Sequence, residues 1–378
     1  MTHVEDIGVI TAIDPAGDTV YLEIACQGRE TPPEQVDPTY VTPDRIPIVR
    51  NPIKYTSWNQ KIDGNIHHTV FIKDGAIYWM GGTGGQRKSM TPTLVKEGNF
   101  IQIASTLNGF IALDAGGNLW LSEDGYNIQQ DTEVDGVINI AAGDGFYAIL
   151  TSGGQVRVKG SNEYGQHGRG SVGGNNAGKW GEPAHLPAGA TPIQVAAGGY
   201  KIGIVTTNGE VYMWGKISPF GQGTPQLITD VSSVQRLEIG DEGNIAITPN
   251  QIVAWDIPQV VVPAGRISLN VGDRGFNKVI FKNRVIYALR EDGLVFSSGD
   301  NNNFGQLGLG FAAGGTKLGD FYLVKTGTAR MTDIGAGRNT GYAFDSFGNL
   351  WSWGQNTEGQ LGLGFSGQGN NYHPVKVK

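Results

Sequence analysis

The feature that most restricts how this chain can fold is a segment that returns. Near the C-terminus, Trp351-Ser352-Trp353-Gly354-Gln355-Asn356-Thr357-Glu358-Gly359-Gln360-Leu361-Gly362-Leu363-Gly364 joins a short aromatic strand to a glycine-punctuated turn and a Gln-Leu-Gly-Leu-Gly run. Residues 296–310 copy it closely, with Asn302, Gly305, Gln306 and Leu307 in step, and residues 158–168 copy it loosely through Asn162, Gly165 and Gln166. A repeated supersecondary unit cannot bury its apolar face alone, so such a chain folds as an array in which each unit covers its neighbour.

From residue 53 the sequence divides on one pattern: an apolar run, a turn near Ala-Gly, a second apolar run, a Gly or Asn turn, then an aromatic strand. His68-Thr69-Val70-Phe71-Ile72 leads to Ala76-Ile77-Tyr78-Trp79, and Phe110-Ile111-Ala112-Leu113 leads to Asn118-Leu119-Trp120. Ala141-Ala142-Gly143 marks a third unit, and Ala196-Ala197-Gly198 a fourth that reaches Met213-Trp214-Gly215. The fifth carries Glu238-Ile239-Gly240 and Ala254-Trp255. The sixth carries Asn270-Val271-Gly272 and, after an insertion, Leu294-Val295-Phe296; the seventh carries Gly335-Ala336-Gly337 and Leu350-Trp351. Seven units with a period of about 45 residues suit a propeller, whose blade is one four-stranded sheet. The ending His373-Pro374-Val375-Lys376-Val377 resembles Thr91-Pro92-Thr93-Leu94-Val95, and the first unit shows no clear opening strand. The C-terminal strand is therefore expected to complete the first blade, which removes open sheet edges.

The Trp-Gly-x-Asn-x-x-Gly-Gln-Leu-Gly run resembles the regulator-of-chromosome-condensation repeat family, most strongly in the last two units. The resemblance implies an all-β chain folded as a seven-bladed β-propeller. It also implies that the turns after the Ala-Gly positions line one face, which makes Asp144, Phe146, Tyr200, Lys201, Asp273, Arg274, Phe276, Arg338 and Asn339 the candidate binding residues. A solvated turn residue is the alternative for each, and the Gly-rich segments 168–182 and 311–320 are equally eligible. The Trp residues at positions 79, 120, 214, 255, 351 and 353 are assigned to blade packing, and His67 and His68, where the family has His-Thr, to the core.

Composition supports many short strands. The 59 glycines among 378 residues are about twice the average share, with no collagen-like period and only 17 prolines. Charged residues are 17% and the net charge is −7, which gives no general attraction to nucleic acid or anionic membranes. The single cysteine, Cys26, excludes an intrachain disulfide framework and reads as a small buried hydrophobe. No run approaches the roughly 18 apolar residues of a membrane helix, and residues 1–6 lack a secretory signal. Residues 7–13 and 19–25 are β-rich and flank Asp14-Pro15-Ala16-Gly17-Asp18, which predicts a hairpin. Thr31 to Pro52 is spaced by prolines and reads as an extended strap. Residues 1–50 are thus expected to form an appendage, and residues 51–378 the seven repeats.

Chemistry is sparse. Gly82-Thr83-Gly84-Gly85-Gln86-Arg87-Lys88-Ser89 approaches a phosphate loop, but Arg87 replaces its last glycine and Pro92 breaks the required helix. The glycines at 168, 170 and 173 match a dinucleotide fingerprint without a βαβ setting. Asp300-Asn301-Asn302-Asn303-Phe304-Gly305 starts like a calcium loop, but Phe311 stands where the bidentate Glu belongs. Six histidines show no zinc spacing. No enzyme, cofactor or metal site is expected.

Function then rests on loops held by a rigid scaffold. The family's best-known member catalyses nucleotide exchange on a small GTPase and binds chromatin; this acidic chain has no basic tail for chromatin. The Gly-Trp-Arg-His-Thr runs of the family's ultraviolet photoreceptor do not occur. A branch that inhibits β-lactamases shows that the scaffold suits protein binding. Low charge, abundant Gly and Asn and the Pro-rich strap resemble phage tail and capsid-surface proteins. The leading expectation is therefore a virion component, assembled in the host cytoplasm, docked on other structural subunits by residues 1–50 and touching a host surface protein or glycan. The alternative is a soluble cytoplasmic regulatory propeller that binds a cellular protein such as a small GTPase.

Overall fold

The computed structural model describes residues 59–82, 88–176, 178–217, 219–256, 275–311, 318–367 and 370–378, and the backbone of 9–13, 19–23 and 266–270. Every regular element among them is a β-strand. The chain divides into two compact units, Met1–Tyr40 and Val41–Lys378. In the first, Val9–Ile13 pairs antiparallel with Thr19–Glu23, as the two β-rich runs predict. The proline-spaced strap lies outside the described residues.

The second unit is a succession of antiparallel meanders. Their inner strands are Ile62–Gly64, Phe100–Ser105, Val137–Gly143, Pro192–Gly198, Arg236–Gly240, Phe276–Lys282 and Met331–Gly337, each followed by strands that pair in chain order. The third meander has three strands where the others have four. In the fourth place, the amides of Asn176, Gly181 and Ala184 donate to the carbonyls of Gly160, Val158 and Val156. The sixth meander corrects the sequence division: Phe276 opens its inner strand, and Arg266–Asn270 is the outer strand of the fifth. The residues around Asn270 mimic the Ala-Gly signal, so the sequence division began the sixth unit too early and read an insertion that the strands do not contain.

Second strands are buried at every residue from the third meander on, as in Phe146–Thr151, Val285–Arg290 and Thr340–Asp345, and in the first two only the last residue, Lys73 or Asp114, is partly exposed. Each sheet is covered on both faces by its neighbours, so these strands are continuous apolar runs rather than alternating ones. Alternation survives in third strands such as Leu119–Ser122, where Trp120 is the partly exposed residue. Trp79, Trp214, Trp255 and Trp353 pack inside, whereas Trp120 and Trp351 are half-buried.

Inner strands are stitched by side chains. A bulge recurs at one place, between Phe100 and Gln102, Val137 and Asn139, Pro192 and Gln194, Phe276 and Lys278, and Met331 and Asp333. A bulge re-aims the residue beside it. Here it turns a polar side chain towards the next meander. Gln102 Nε2 donates to the Ile140 carbonyl at 3.0 Å, Gln194 Nε2 donates to Leu237 O at 2.9 Å, and Asn139 Oδ1 accepts from Val195 N at 2.7 Å. These amides replace the ladder that the inner strands of the second to fifth meanders do not form with one another.

The recurring Asn-x-x-Gly-Gln-Leu-Gly loop is a linking device of the same kind. Asn302 closes its loop by accepting from Leu307 N at 2.9 Å and donating to Phe311 O at 2.8 Å; Asn356 does the same with Leu361 N and Phe365 O. The carbonyl of the Gln then faces the next meander. Gln306 O accepts from Trp353 Nε1 at 2.9 Å, and Gln166 O accepts from Trp214 Nε1 at 2.8 Å.

The C-terminal strand does not complete the first meander. Asn370–Lys376 pairs with Leu350–Gln355 of its own sheet, and the first meander has its own opening strand, Ile62–Gly64, which is too short to stand out in sequence. The two ends of the succession meet instead through a parallel bridge, Ala336 with Asp63. Gly335 permits it, since a Cβ there would overlap Ile62 Cβ. The last loop also reaches the first meander: Gln360 Nε2 donates to Ile66 O at 3.0 Å, and Thr69 Oγ1 donates to Gln360 O at 3.2 Å.

The Asp-x-x-Gly-Asn-Leu-Trp turns are held by one carboxylate. Asp345 accepts from Phe347 N, Asn349 N, Asn349 Nδ2 and Trp351 Nε1, all at 2.9–3.0 Å, and Asp114 repeats the set with Asn118 and Trp120. Burial would raise the Asp345 carboxyl, but donation from Trp351, Asn349 and Phe347 holds it below its ordinary value. Asp345→Ala should cost about 2 kcal/mol in urea unfolding at neutral pH. A depressed carboxyl stabilises above its unfolded-state value and loses that contribution on acidification, so the difference from wild type should shrink below about pH 4.

Candidate functional site

Residues of all seven inner strands line one cavity of about 90 Å³, from Asp63 and Gln102 round to Lys282 and Ala336. The turns that leave these strands gather at its mouth. Contacts between them follow the order of the meanders: Asn65 Nδ2 donates to Leu107 O at 2.9 Å, Asp144 N to Gly199 O at 2.6 Å, and Asn283 Nδ2 to Arg338 O at 3.3 Å.

The mouth is charged. Arg338 Nε stands 3.8 Å from Asp241 Oδ2, and Arg284 pairs with Asp300 and, at 3.6 Å, with Glu242. Deeper, Lys282 Nζ lies 2.8 Å from Asp63 Oδ1. Asp144 has no ion pair among the described residues; burial and then the nearby Asp241 raise its carboxyl, partly offset by Lys282 and Arg338. Beside it Tyr200 and Tyr164 have ring centroids 5.1 Å apart, with Lys216 Nζ 4.8 Å from the Tyr164 ring and 5.3 Å from the Tyr200 ring. Burial, then Asp144 and Glu163, push the Tyr200 hydroxyl up.

Of the residues named from sequence, Asp144, Tyr200 and Arg338 reach the surface of the mouth. Phe146 is 1% exposed and belongs to the core. Lys201 is buried and donates to Gly243 O at 3.2 Å; burial brings its ammonium down to about 8. Asn339 is buried and donates to Gln355 Oε1 at 2.8 Å. Phe276 is not in a turn: it packs in an aromatic cluster with Phe296 and Phe321, at centroid distances of 5.7 and 5.4 Å. Asp273 and Arg274 lie outside the described residues. The sequence reading missed Asp241, Glu242 and Arg284. The first two directly follow Glu238-Ile239-Gly240 and were legible by the same rule; Arg284 was hidden by the misplaced sixth unit. Among the described residues no group of three His, Cys, Asp or Glu could hold a metal. No helix among them is long and apolar enough to cross a membrane.

The regulator of chromosome condensation (RCC1) repeat matches residues 137–166 and again 348–378. The X-linked retinitis pigmentosa GTPase regulator of Canis lupus familiaris is 40% identical over 75 residues, 19% of this chain and 7% of that protein. Its Homo sapiens counterpart is 26% identical over 176 residues, 46% of this chain and 14% of that protein. The chain thus spans only a small part of the curated relatives it matches. Among solved structures, Prp20p from Saccharomyces cerevisiae, studied for its binding to Gsp1p and histones, superposes with a TM-score of 0.66 at 15% identity over 87% of this chain and 88% of that one. Yeast RCC1 (Prp20) with Kap60 bound gives a TM-score of 0.65 at 16% identity over 79% and 80%. These structural likenesses establish a propeller-like fold.

Proposed function

Because the chain belongs to the regulator-of-chromosome-condensation-like repeat family, we propose that residues 51–378 form a seven-bladed, closed propeller that acts without catalysis, binding a protein partner through the cavity mouth. The observation that carries this reading is the convergence of seven turns on one rim, where Asp144, Tyr200, Asp241 and Arg338 stand accessible above buried supports such as Lys201 and Asn339. Rigid support with accessible charged and aromatic side chains suits protein recognition, in which Tyr and Arg carry much of the affinity. Closure is supported by the Ala336–Asp63 bridge and by the Gln360 contacts with the first meander.

The relatives favour a regulator of a cellular protein, with a small GTPase the first partner to test and the cytoplasm as the setting. A virion role, docking on structural subunits and contact with a host glycan find no support among them. The test is direct. The full chain is titrated with a small GTPase carrying a fluorescent guanine nucleotide, and binding and nucleotide release are followed. We expect binding, weakened tenfold or more by Tyr200→Ala or Asp241→Arg, since a hot-spot truncation costs about 2 kcal/mol. Binding unchanged by both substitutions would move the interface off this rim, and no binding would remove the GTPase from the proposal.

A further inference from the structure

Lys216 marks a place on the rim that holds a cation. Its side chain is exposed and makes no ion pair among the described residues, yet its Nζ lies 4.8 Å from the Tyr164 ring and 5.3 Å from the Tyr200 ring. A cation over aromatic faces is held by their negative π-electron surface. The two rings come from different meanders and are well supported. Tyr164 N donates to Gln166 Oε1 at 2.8 Å, and Tyr164 O accepts from Gln222 N at 3.1 Å, which sets the 89% exposed Phe220 beside it. On the far side of Tyr200 stand carboxylates. Asp144 N donates to Gly199 O at 2.6 Å, and a Cβ on Gly199 would come within 3.2 Å of Asp241 Cα, so the turns of the third, fourth and fifth meanders meet at the residue before Tyr200. Asp144, Glu163 and Asp241 all act on the Tyr200 hydroxyl. Asp144 has no ion pair among the described residues, and Arg338 reaches Asp241 only at 3.8 Å.

We propose that this corner of the rim is an arginine subsite: a guanidinium of the partner protein displaces Lys216 from the tyrosine faces and pairs with Asp144. The inference rests on the reading of the rim as a protein-binding surface and adds the chemistry of the group it receives. A guanidinium suits the corner better than an ammonium. It is planar and weakly hydrated, so it stacks on an aromatic face while its edge gives parallel N–H bonds to a carboxylate. Lys216 directly follows the strand Val211–Gly215, and its N donates to Tyr200 O at 3.0 Å. From that anchor its ammonium covers the rings without pairing with any of the carboxylates. Such a contact at an exposed site is weak, whereas a charge-assisted bond to a half-buried carboxylate is strong, so the exchange favours the incoming group. The charge balance agrees. Asp144, Glu163 and Asp241 face Lys216 and Arg338, and the deeper Lys282 is engaged by Asp63, which leaves the corner complementary to one more cation.

The test is an NMR titration of the full chain at physiological salt with a blocked Gly-Arg-Gly peptide, following the ring signals of Tyr164 and Tyr200, with Gly-Lys-Gly and Gly-Gln-Gly as comparisons. We expect the arginine peptide to bind about tenfold more tightly than the glutamine peptide and severalfold more tightly than the lysine peptide. Asp144→Asn, which keeps the shape of the side chain, should weaken it about tenfold, and Tyr200→Phe, which keeps the ring, should change it by less than about twofold. Lys216→Gln should strengthen binding more than Lys376→Gln, which removes the same charge from the outer strand of the seventh meander. Equal binding of the three peptides, indifference to Asp144→Asn, or equal effects of Lys216→Gln and Lys376→Gln would each overturn the proposal. A GTPase that binds the rim while the arginine peptide does not would overturn the subsite and keep the protein-binding reading. Arginine binding without GTPase binding would keep the subsite and remove only that partner.

Discussion

Trp353→Ala should lose about 4 kcal/mol of stability, among the largest single effects a buried side chain gives. The indole is completely buried, meets Tyr287 edge-on at 5.8 Å, and donates from Nε1 to Gln306 O at 2.9 Å. It sits on Gly341, where a Cβ would overlap the ring. The loss has two parts: a cavity at the junction of the sixth and seventh meanders, and the loosening of the loop that Gln306 terminates. Trp353→Phe separates them. It keeps most of the packing and removes the indole donor, while Tyr287 still donates to Gln306 O. Its cost should therefore fall to about 1–2 kcal/mol. Denaturant unfolding of both variants checks the pair, and a loss below about 1 kcal/mol for Trp353→Ala would contradict this packing.

Asp63→Ala should be of similar size, about 3–5 kcal/mol, for an electrostatic reason. One carboxylate joins three meanders. Oδ1 accepts from Lys282 Nζ at 2.8 Å, and Oδ2 accepts from Ser105 N at 2.7 Å and Ser105 Oγ at 3.0 Å. Removing it strands the Lys282 ammonium in a partly dehydrated cavity and leaves the Ser105 amide without its acceptor. Asp63→Asn should cost less, since its oxygen can still serve Ser105. The double variant Asp63→Ala/Lys282→Met should recover much of the loss, because the unpaired cation is gone. The pH dependence follows from Lys282. Burial alone would lower its ammonium, but Asp63, together with the more distant Asp241 and Glu238, raises it. A raised lysine stabilises fully below its unfolded-state value and loses that contribution as pH rises through its folded value. Wild type should therefore weaken above about pH 10.5, whereas the double variant should not. Equal alkaline sensitivity in the two would exclude the ion pair as the source.

Local signals in the chain carry much of this molecule. The Asn, Gln and Gly of the repeated loop and the Asp and Asn of the Asp345 turn act mainly on backbone within a few residues, so their spacing is visible without a structure. The hairpin at residues 9–23 was legible for the same reason. The sixth unit was misread because residues next to the fifth meander's outer strand, around Asn270, mimic the Ala-Gly signal, and three-residue Ile62–Gly64 left too little apolar sequence to register as a strand.

The site was less legible than the fold. Sequence placed the turns, and Asp144, Tyr200 and Arg338 do stand at the mouth. It could not tell that Lys201 and Asn339, one residue beyond Tyr200 and Arg338, turn inward, because one position along a strand exchanges the two faces. Nor could it bring Asp63 to Lys282, which are 219 residues apart.

By itself, then, the sequence determined an all-β array, its repeat and the chemistry of its turns, because these depend on backbone conformation and hydrogen bonds between near neighbours. The tertiary structure alone decided which polar residues are supports and which are available, how the first and last meanders meet, and which charges face each other across the cavity. Those outcomes depend on burial and on distances between strands far apart in the chain, and neither is encoded at any single position.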